Sequence, residues 1–391
     1  MAFNAERPAV NLLKKRVAFI TSGLPTGGAE LVLLSLLSRL DRNRFEPFVI
    51  SLRGEGDLGQ SIRDLSIPVL ALKLGLRPRL AFEILRGIRT LRRFDPDVIQ
   101  GWMYHGNVFS WLAAPLMRRR PRLLFSIHNA LSDWTSERHL TRKIIRLNGT
   151  LSGSADRVIY PSEPSALQHE ALGYAQDRTQ IIPNGFDCDR FAPDTADRAR
   201  IRSELGFADE DFVIGMAARY HPVKDHAILL AAVRDALDRC PSTRLLLCGP
   251  GVDDKNSELQ NLIRKHGLEQ VVRLLGTRRD MPRIYRAMDL LALSSKSESA
   301  PGVLAEAMAS GVPCVATDVG VCKKTLAGTG WVVTPRDRHS IAEGLIAAAE
   351  LPREALKLRG ERARTEIVST LALSAMIEAY QSLFDAATTP S

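Results

Sequence analysis

Two carboxylates eight positions apart, Glu298 and Glu306, fall in the segment SESAPGVLAEAMASGVPCVATDVG (297–320). Pro301-Gly302 suits a loop turning into a helix, VLAEAMAS is rich in helix formers, and Gly311 suits the stop. The first amides of such a helix, around Gly302, Val303 and Leu304, lack intrahelical partners. Together with the helix dipole they make an anion site suited to phosphate. Glu306, about one turn in, can reach hydroxyls beside that phosphate, such as those of a ribose. Glu298, in the loop before the helix, can accept hydrogen bonds from a second polyol. A nucleotide on one side, a sugar on the other and a diphosphate between them fits this layout. Two cations, Arg219 and Lys224 in AARYHPVKD, would then stabilise the charge that accumulates on a diphosphate as its bond to a sugar breaks. Taken singly, each of these residues reads equally well as a solvated charge.

The elements needed to position them are those of a parallel sheet. Short β-branched runs alternate with longer amphipathic stretches, as in βα units. Strands are predicted at 16–22, 45–52, 67–72, 97–102, 122–128 and 157–162, with a helix over 28–40. A second series follows at 211–218, 243–249, 271–276, 289–295, 313–318 and 330–334, and the pattern from about 337 onward is helical. The expected class is α/β, with two Rossmann-like doubly wound domains facing across a cleft. The turn-rich stretch PNGFDCDRFAPD (183–194) marks the break, so the domains are expected at 1–190 and 191–391, the last helix crossing back to the first. Ligands of open parallel sheets bind beyond the carboxyl ends of the strands. Gly27, Gly28, Glu30, His105, Asn107, His128 and Asn129 fall at such ends in the first half, and Arg219, Lys224 and Glu298 in the second.

The 391-residue chain carries a formal charge of +9. Residues 1–190 hold 27 basic and 18 acidic side chains, and the remainder 26 of each, so the first half holds the whole excess. Its clusters lie at 77–94, 118–122 and 138–146. Such a face suits an anionic membrane, an acidic substrate or a nucleic acid, but no nucleic-acid-binding module accompanies it and that partner is not expected. The five cysteines form no CxxC pair and read as buried free thiols. No run is apolar enough to span a bilayer, and the start shows no cleavage-site pattern, so a cytoplasmic protein is expected. CGPG (248–251) is too short for a dinucleotide fingerprint, no phosphate-binding P-loop is present, and the histidines lack metal-ligand spacing.

The same residues resemble, over nearly the whole chain, the retaining GT-B glycosyltransferases of family 4. Glu298-x7-Glu306 followed by AMASGVPCVATDVG is similar to the family's most specific motif. PNGFD (183–187), ARYHPVKD (218–225), GLPTGGAE (23–30) and IHN (127–129) resemble its junction segment, diphosphate clamp, glycine-rich loop and histidine signature. WMYHGN (102–107) resembles members that build bacterial surface polysaccharides. One position departs: Ala300 stands where family members often carry an aromatic residue. The resemblance implies transfer of a sugar from a nucleoside diphosphate donor to a glycan or lipid-linked acceptor, with retention and no cofactor. No obligatory metal is implied, Arg219 and Lys224 acting in its place. Glu298, His128, Arg219 and Lys224 would be the catalytic set. Gly28, Thr277, Gly302, Val303, Leu304 and Glu306 would join in holding the donor, the base lying near GTRRD (276–280). His105 and Asn107 would meet the acceptor, and an anionic membrane at the inner face is a possible further partner. Two alternatives remain at this stage: a glycosidase or phosphorylase using the two glutamates as an acid pair, and a silent nucleotide-sugar-binding protein.

Overall fold

The computed structural model describes residues 14–74, 80–129, 131, 139–298 and 301–386. The first sheet contains β1 (Lys15–Thr21), β2 (Phe45–Ser51), β3 (Val69–Ala71), β4 (Val98–Trp102), β5 (Arg122–Ser126), β6 (Arg157–Tyr160) and β7 (Thr179–Ile181). All strands are parallel, in the order β3-β2-β1-β4-β5-β6-β7. The connections carry α1 (Gly28–Arg39), α2 (Leu58–Asp64), α3 (Leu80–Phe94), α4 (Met103–Ala113), α5 (His139–Ser152) and α6 (Glu163–Glu170). The second sheet, also parallel, runs β10-β9-β8-β11-β12-β13. Its strands are β8 (Phe212–Ala217), β9 (Thr243–Cys248), β10 (Val272–Leu274), β11 (Leu290–Leu293), β12 (Cys314–Thr317) and β13 (Trp331–Val333). The helices are α7 (Thr195–Glu204), α8 (His226–Leu237), α9 (Ser257–Lys265), α10 (Met281–Ala287), α11 (Gly302–Ala309), α12 (Cys322–Leu326), α13 (Arg338–Ala349), α14 (Arg353–Thr370) and α15 (Leu373–Asp385).

The twelve predicted strands are present, β1 shifted by one residue toward the N-terminus and the other eleven trimmed by one to three residues. The short edge strand β7, whose three residues are only half-buried, was not foreseen. Central strands such as β1 and β8 are apolar on both faces because helices cover both. In the first domain, α1 and α15 pack on one face and α3, α4 and α5 on the other. In the second, α10, α11 and α14 share one core and α8, α9 and α13 the other.

Strand order reverses between β1 and β4 in the first sheet and between β8 and β11 in the second. Crevices for ligands form at such switch points. Gly28 and His105 follow β1 and β4, and Lys224 and Glu298 follow β8 and β11, so both sets lie where the topology opens a crevice.

The chain passes between the domains at two places that touch each other. The Phe186 amide donates to the Leu371 carbonyl and the Leu373 amide to the Phe186 carbonyl, both at 2.9 Å. Gly185 is required at this crossing, because a Cβ there would lie 2.7 Å from Leu373 Cα. Helix α15 then docks on the first sheet, with the Phe384 ring 5.9 Å from Phe19 and 5.8 Å from Phe45, both edge-on.

Candidate active site

In the second domain the predicted residues are tied together before any ligand arrives. Lys224 Nζ and Ser295 Oγ both bond Glu298 Oε1, the hydroxyl at 2.6 Å. The Lys224 and Glu298 side chains are 20% and 10% exposed, so the pair is largely withdrawn from water yet still accessible. The backbone holds Lys224 as firmly: its amide donates to the His221 carbonyl at 2.9 Å, and its carbonyl accepts from Ser294 Oγ at 2.9 Å. The next residue, Asp225, has a φ of 55°, a left-handed conformation at the turn into α8. His221 sits between the two predicted cations. Burial, Arg219 and Lys224 together hold its imidazole below the usual range. Arg219 itself is exposed, on a loop fixed by the Tyr220 amide donating to the Pro250 carbonyl at 2.8 Å.

Glu306 lies on α11 and accepts a hydrogen bond from Tyr285 Oη at 2.8 Å. Burial raises its carboxyl, while the Tyr285 hydroxyl and Arg190 oppose the shift. No side chain caps α11. Leu304, expected to offer an amide, is fully buried, and that amide donates to the Pro301 carbonyl at 3.1 Å. The helix tightens its own first turn, so the offered amides reduce to Gly302 and Val303. Thr277 is exposed beside Gly276, in a loop pinned by the Gly249 amide donating to the Gly276 carbonyl at 2.8 Å. Ser299 and Ala300 lie outside the described residues, as do 75–79, 130 and 132–138.

The first domain presents a different picture. His128 stacks on Trp102 with ring centroids 4.4 Å apart and planes 24° from parallel. Its amide approaches Met103 Sδ at 3.2 Å, and Met103 turns from β4 into α4 with a φ of 65°. Burial pushes the imidazole down to about 4, the Asn184 carboxamide partly opposing. That contact is looser than a hydrogen bond: neither ring nitrogen of His128 nor Asn184 Oδ1 has a partner, although all three atoms are buried. Gly28 opens α1 in free space, a Cβ there meeting nothing within 4 Å. His105 is half-buried in the first turn of α4, its imidazole lowered by burial and by Arg53. Asn107 does not join this group. It is fully buried, Nδ2 donating to the Ser126 carbonyl and Oδ1 accepting from the Ser126 amide, so it clips α4 to β5. One position in a helix decides this, and alternation cannot resolve it.

The two halves meet at the junction. Asn184 lies by His128, and two residues on the Phe186 ring lies against Gly302, 3.4 Å from where a Cβ would be. Asp187 pairs with Arg39 of α1 at 3.2 Å. The first turn of α11 and the end of β5 are thus gathered by one tetrapeptide. Ser295, Tyr285, Arg53 and Asn184 join the set without having been singled out for it. Asn184 lay inside the quoted PNGFD segment, while the others had no distinguishing sequence signal. Among the described residues, no three His, Cys, Asp or Glu side chains converge as a metal site. No described helix is long and apolar enough to cross a membrane.

Residues 26–190 match the model for Glycosyltransferase Family 4, and residues 197–366 the model for Glycosyl transferases group 1. EpsF of Bacillus subtilis, named a glycosyltransferase, is 27% identical over 87% of this chain and 88% of its own. A D-inositol 3-phosphate glycosyltransferase of Corynebacterium jeikeium is 33% identical over 64% of this chain and 63% of its own. The structure of Anabaena HepE in complex with UDP superposes with a TM-score of 0.82 at 26% identity, covering 94% of this chain and 99% of that one. HepE has also been seen with UDP-glucose. Two family models that between them match 26–190 and 197–366, with the Glu298-x7-Glu306 segment inside the second, make this chain a GT-B glycosyltransferase, with a family 4 first domain and a group 1 second domain.

Proposed function

We propose that this glycosyltransferase moves a sugar from a uridine diphosphate sugar to a glycan or lipid-linked acceptor, with retention of configuration, in the building of a surface polysaccharide. The observation that carries the reading is the Lys224–Glu298–Ser295 cluster at the second switch point, beside the start of α11. Arg219, Lys224 and the amides of Gly302 and Val303 hold the diphosphate. Glu306, oriented by Tyr285, receives the ribose hydroxyls, and the backbone near Thr277 receives the base. Glu298 accepts hydrogen bonds from the donor sugar, and Lys224 lies between that sugar and the phosphates. The choice of uridine follows the UDP and UDP-glucose complexes of HepE, and the polysaccharide role follows the resemblance of WMYHGN (102–107) to members that build bacterial surface polysaccharides.

As the glycosidic bond breaks, negative charge grows on the diphosphate oxygen that leaves. Fixed cations beside it, with no reorganisation needed, lower that barrier. The acceptor hydroxyl gives its proton to the leaving phosphate on the same face of the sugar. His128, which resists protonation down to about 4, is a weak base and serves as a hydrogen-bond partner for a sugar hydroxyl. Glu298 is ion-paired to Lys224, and Glu306 sits on α11 bonded to Tyr285, which argues against a glycosidase pair, whose two carboxyls must flank the bond that breaks. No resident cofactor has a part in this scheme, and Arg219 and Lys224 supply the positive charge that a metal would otherwise supply.

A thermal-shift screen with UDP, GDP, ADP and their sugars tests the donor. A ligand at about 100 times its Kd stabilises by roughly 2.7 kcal/mol, and UDP is expected to give the largest shift. Transfer followed by proton NMR of the new anomeric centre tests retention. A product of inverted configuration, or larger shifts with ADP or GDP, would overturn the corresponding part.

A further inference from the structure

Helices α3, α4 and α5 lie side by side on one face of the first sheet. Gly87 of α3 faces Phe109 of α4, where a Cβ would come within 2.8 Å of the ring. Asn148 of α5 donates to the Tyr104 carbonyl of α4 at 3.0 Å. Ile88, Leu91, Phe109 and Ile145 point inward into a single core, so the opposite sides of the three helices look outward together.

That outward side is unusual in both apolarity and charge. Helix α3 exposes Leu80, Phe82 and Leu85 in its first half, and Arg89, Arg92 and Arg93 in its second. The end of α4 and the turn after it expose Trp111, Leu112 and Leu116, followed by the exposed run Arg118–Arg120. Helix α5 exposes Leu140 and Leu147, with Lys143 between them. Phe82 is 62% exposed and Leu140 78%. Single exposed apolar residues need no explanation, but a set spread over three adjacent helices does. Acidic side chains are few: the three helices contain one, Glu83, which is buried and bonded to Arg86, and just past α3 Asp95 and Asp97 pair with Arg119. The layer ends at α6, where Glu163 and Glu170 appear.

We propose that the outward side of α3, α4 and α5 is a docking surface for an anionic lipid bilayer. The charge complementarity selects anions, and the apolar side chains among the arginines select a surface with hydrocarbon beneath its anions. Arg and Lys lay their stems along apolar surface and extend their heads to phosphate, while Leu, Phe and Trp enter the boundary between headgroup and acyl chain. An acidic protein would match the charge and leave these apolar groups unused. The surface lies on the domain that precedes the junction and shares no residue with the predicted donor site, so lipid docking is a property additional to sugar transfer.

The test uses the full chain and sedimentation with vesicles of phosphatidylcholine alone, or mixed with phosphatidylglycerol. Recovery is expected with the mixed vesicles and not with the neutral ones, and high salt should release most of it, since exposed charges are screened within about 8 Å at physiological strength. R89Q/R92Q/R93Q should weaken binding by about fivefold per arginine, the equivalent of roughly 1 kcal/mol each. F82S/L85S should remove the binding that persists in high salt. Both variants should keep the wild-type melting temperature and UDP affinity, because the altered residues are exposed and remote from the donor site. K357Q/R362Q on α14 removes two charges from the other domain and should leave vesicle binding unchanged. Equal recovery with neutral and anionic vesicles would overturn the proposal. So would an equal loss in K357Q/R362Q, or capture by polyglutamate without capture by vesicles. Because UDP binding is read separately, loss of the lipid face and loss of the sugar-transfer reading are distinguishable.

Discussion

The two halves of the candidate active site satisfy their polar groups in opposite ways. In the second domain the carboxylates have partners already: Glu298 is held by Lys224 and Ser295, and Glu306 by Tyr285. In the first domain, both nitrogens of His128 and the carboxamide oxygen of Asn184 are buried with nothing to bond. Buried polar atoms left unpaired cost about 1–3 kcal/mol each. A folded protein keeps them where something else completes them. The second half is therefore a preassembled charge site, whereas the first holds buried polar atoms without a protein hydrogen-bond partner.

Breaking the preassembled half should have the largest effect. Lys224→Ala removes a cation from the diphosphate and orphans the carboxylate of Glu298. Turnover should fall by roughly 10²–10³-fold, and the melting temperature should fall as well, because Glu298 is only 10% exposed. Restoring the melting temperature, but not the turnover, with Lys224→Ala/Glu298→Gln would separate the two roles. Arg219→Ala, whose side chain is exposed, should lower turnover similarly with little change in melting. Equal melting losses for both cations would erase the distinction.

Filling the unsatisfied half should do the reverse. His128→Phe retains a ring to stack on Trp102 and removes two buried unpaired nitrogens. The melting temperature should rise, while turnover should drop by about tenfold or more as the hydrogen bond to the donor sugar is lost. A destabilised His128→Phe protein would mean that the nitrogens are satisfied in solution.

A smaller effect concerns pH. Burial pushes His128, His169 and His226 each down to about 4. In the unfolded chain these groups take up a proton near 6.5, whereas in the folded chain they do so only near 4. The native state is thus fully favoured above 6.5 and loses stability as pH falls from 6.5 toward 4. Melting temperature plotted against pH should bend downward in that window, and His128→Phe should show a shallower fall. A flat profile between pH 7 and 4.5 would contradict the burial of these rings.

Tyr285→Phe should give the smallest change. It removes one hydrogen bond that orients Glu306 and should weaken UDP binding only a few-fold, because the carboxyl that meets the ribose remains, while sparing the sugar contact.

The contrast between the halves also explains what could be read from the chain alone. The strand positions were legible because parallel strands covered on both sides are apolar runs separated by helical patterns. Glu298, Glu306, Arg219 and Lys224 stood out as candidates because they stand in loops and helix starts just after such strands, and the structure pairs two of them, Lys224 and Glu298. Asn107 and Leu304 sit in equally plausible places, yet one is consumed by Ser126 and the other by its own turn. Only backbone geometry separates an offered group from a spent one. Tyr285 and Ser295 touch the candidate site only by bonding Glu306 and Glu298, and a lone tyrosine or serine gives no pattern. The short strand β7 and the Phe186–Ala372 bridge depend on contacts between residues far apart in the chain, which local patterning does not report.

The central claim is the division of labour between the two glutamates, and titration calorimetry of UDP measures it most directly. Glu306→Ala should weaken UDP binding by about 10- to 150-fold, since hydrogen bonds to a charged group are worth roughly 1.5–3 kcal/mol. Glu298→Ala should bind UDP nearly as the wild type does while losing turnover, because its partner is the sugar that UDP lacks. If Glu306→Ala bound UDP like the wild type, or if Glu298→Ala lost UDP binding to the same degree, the assignment of ribose to one glutamate and donor sugar to the other would be wrong.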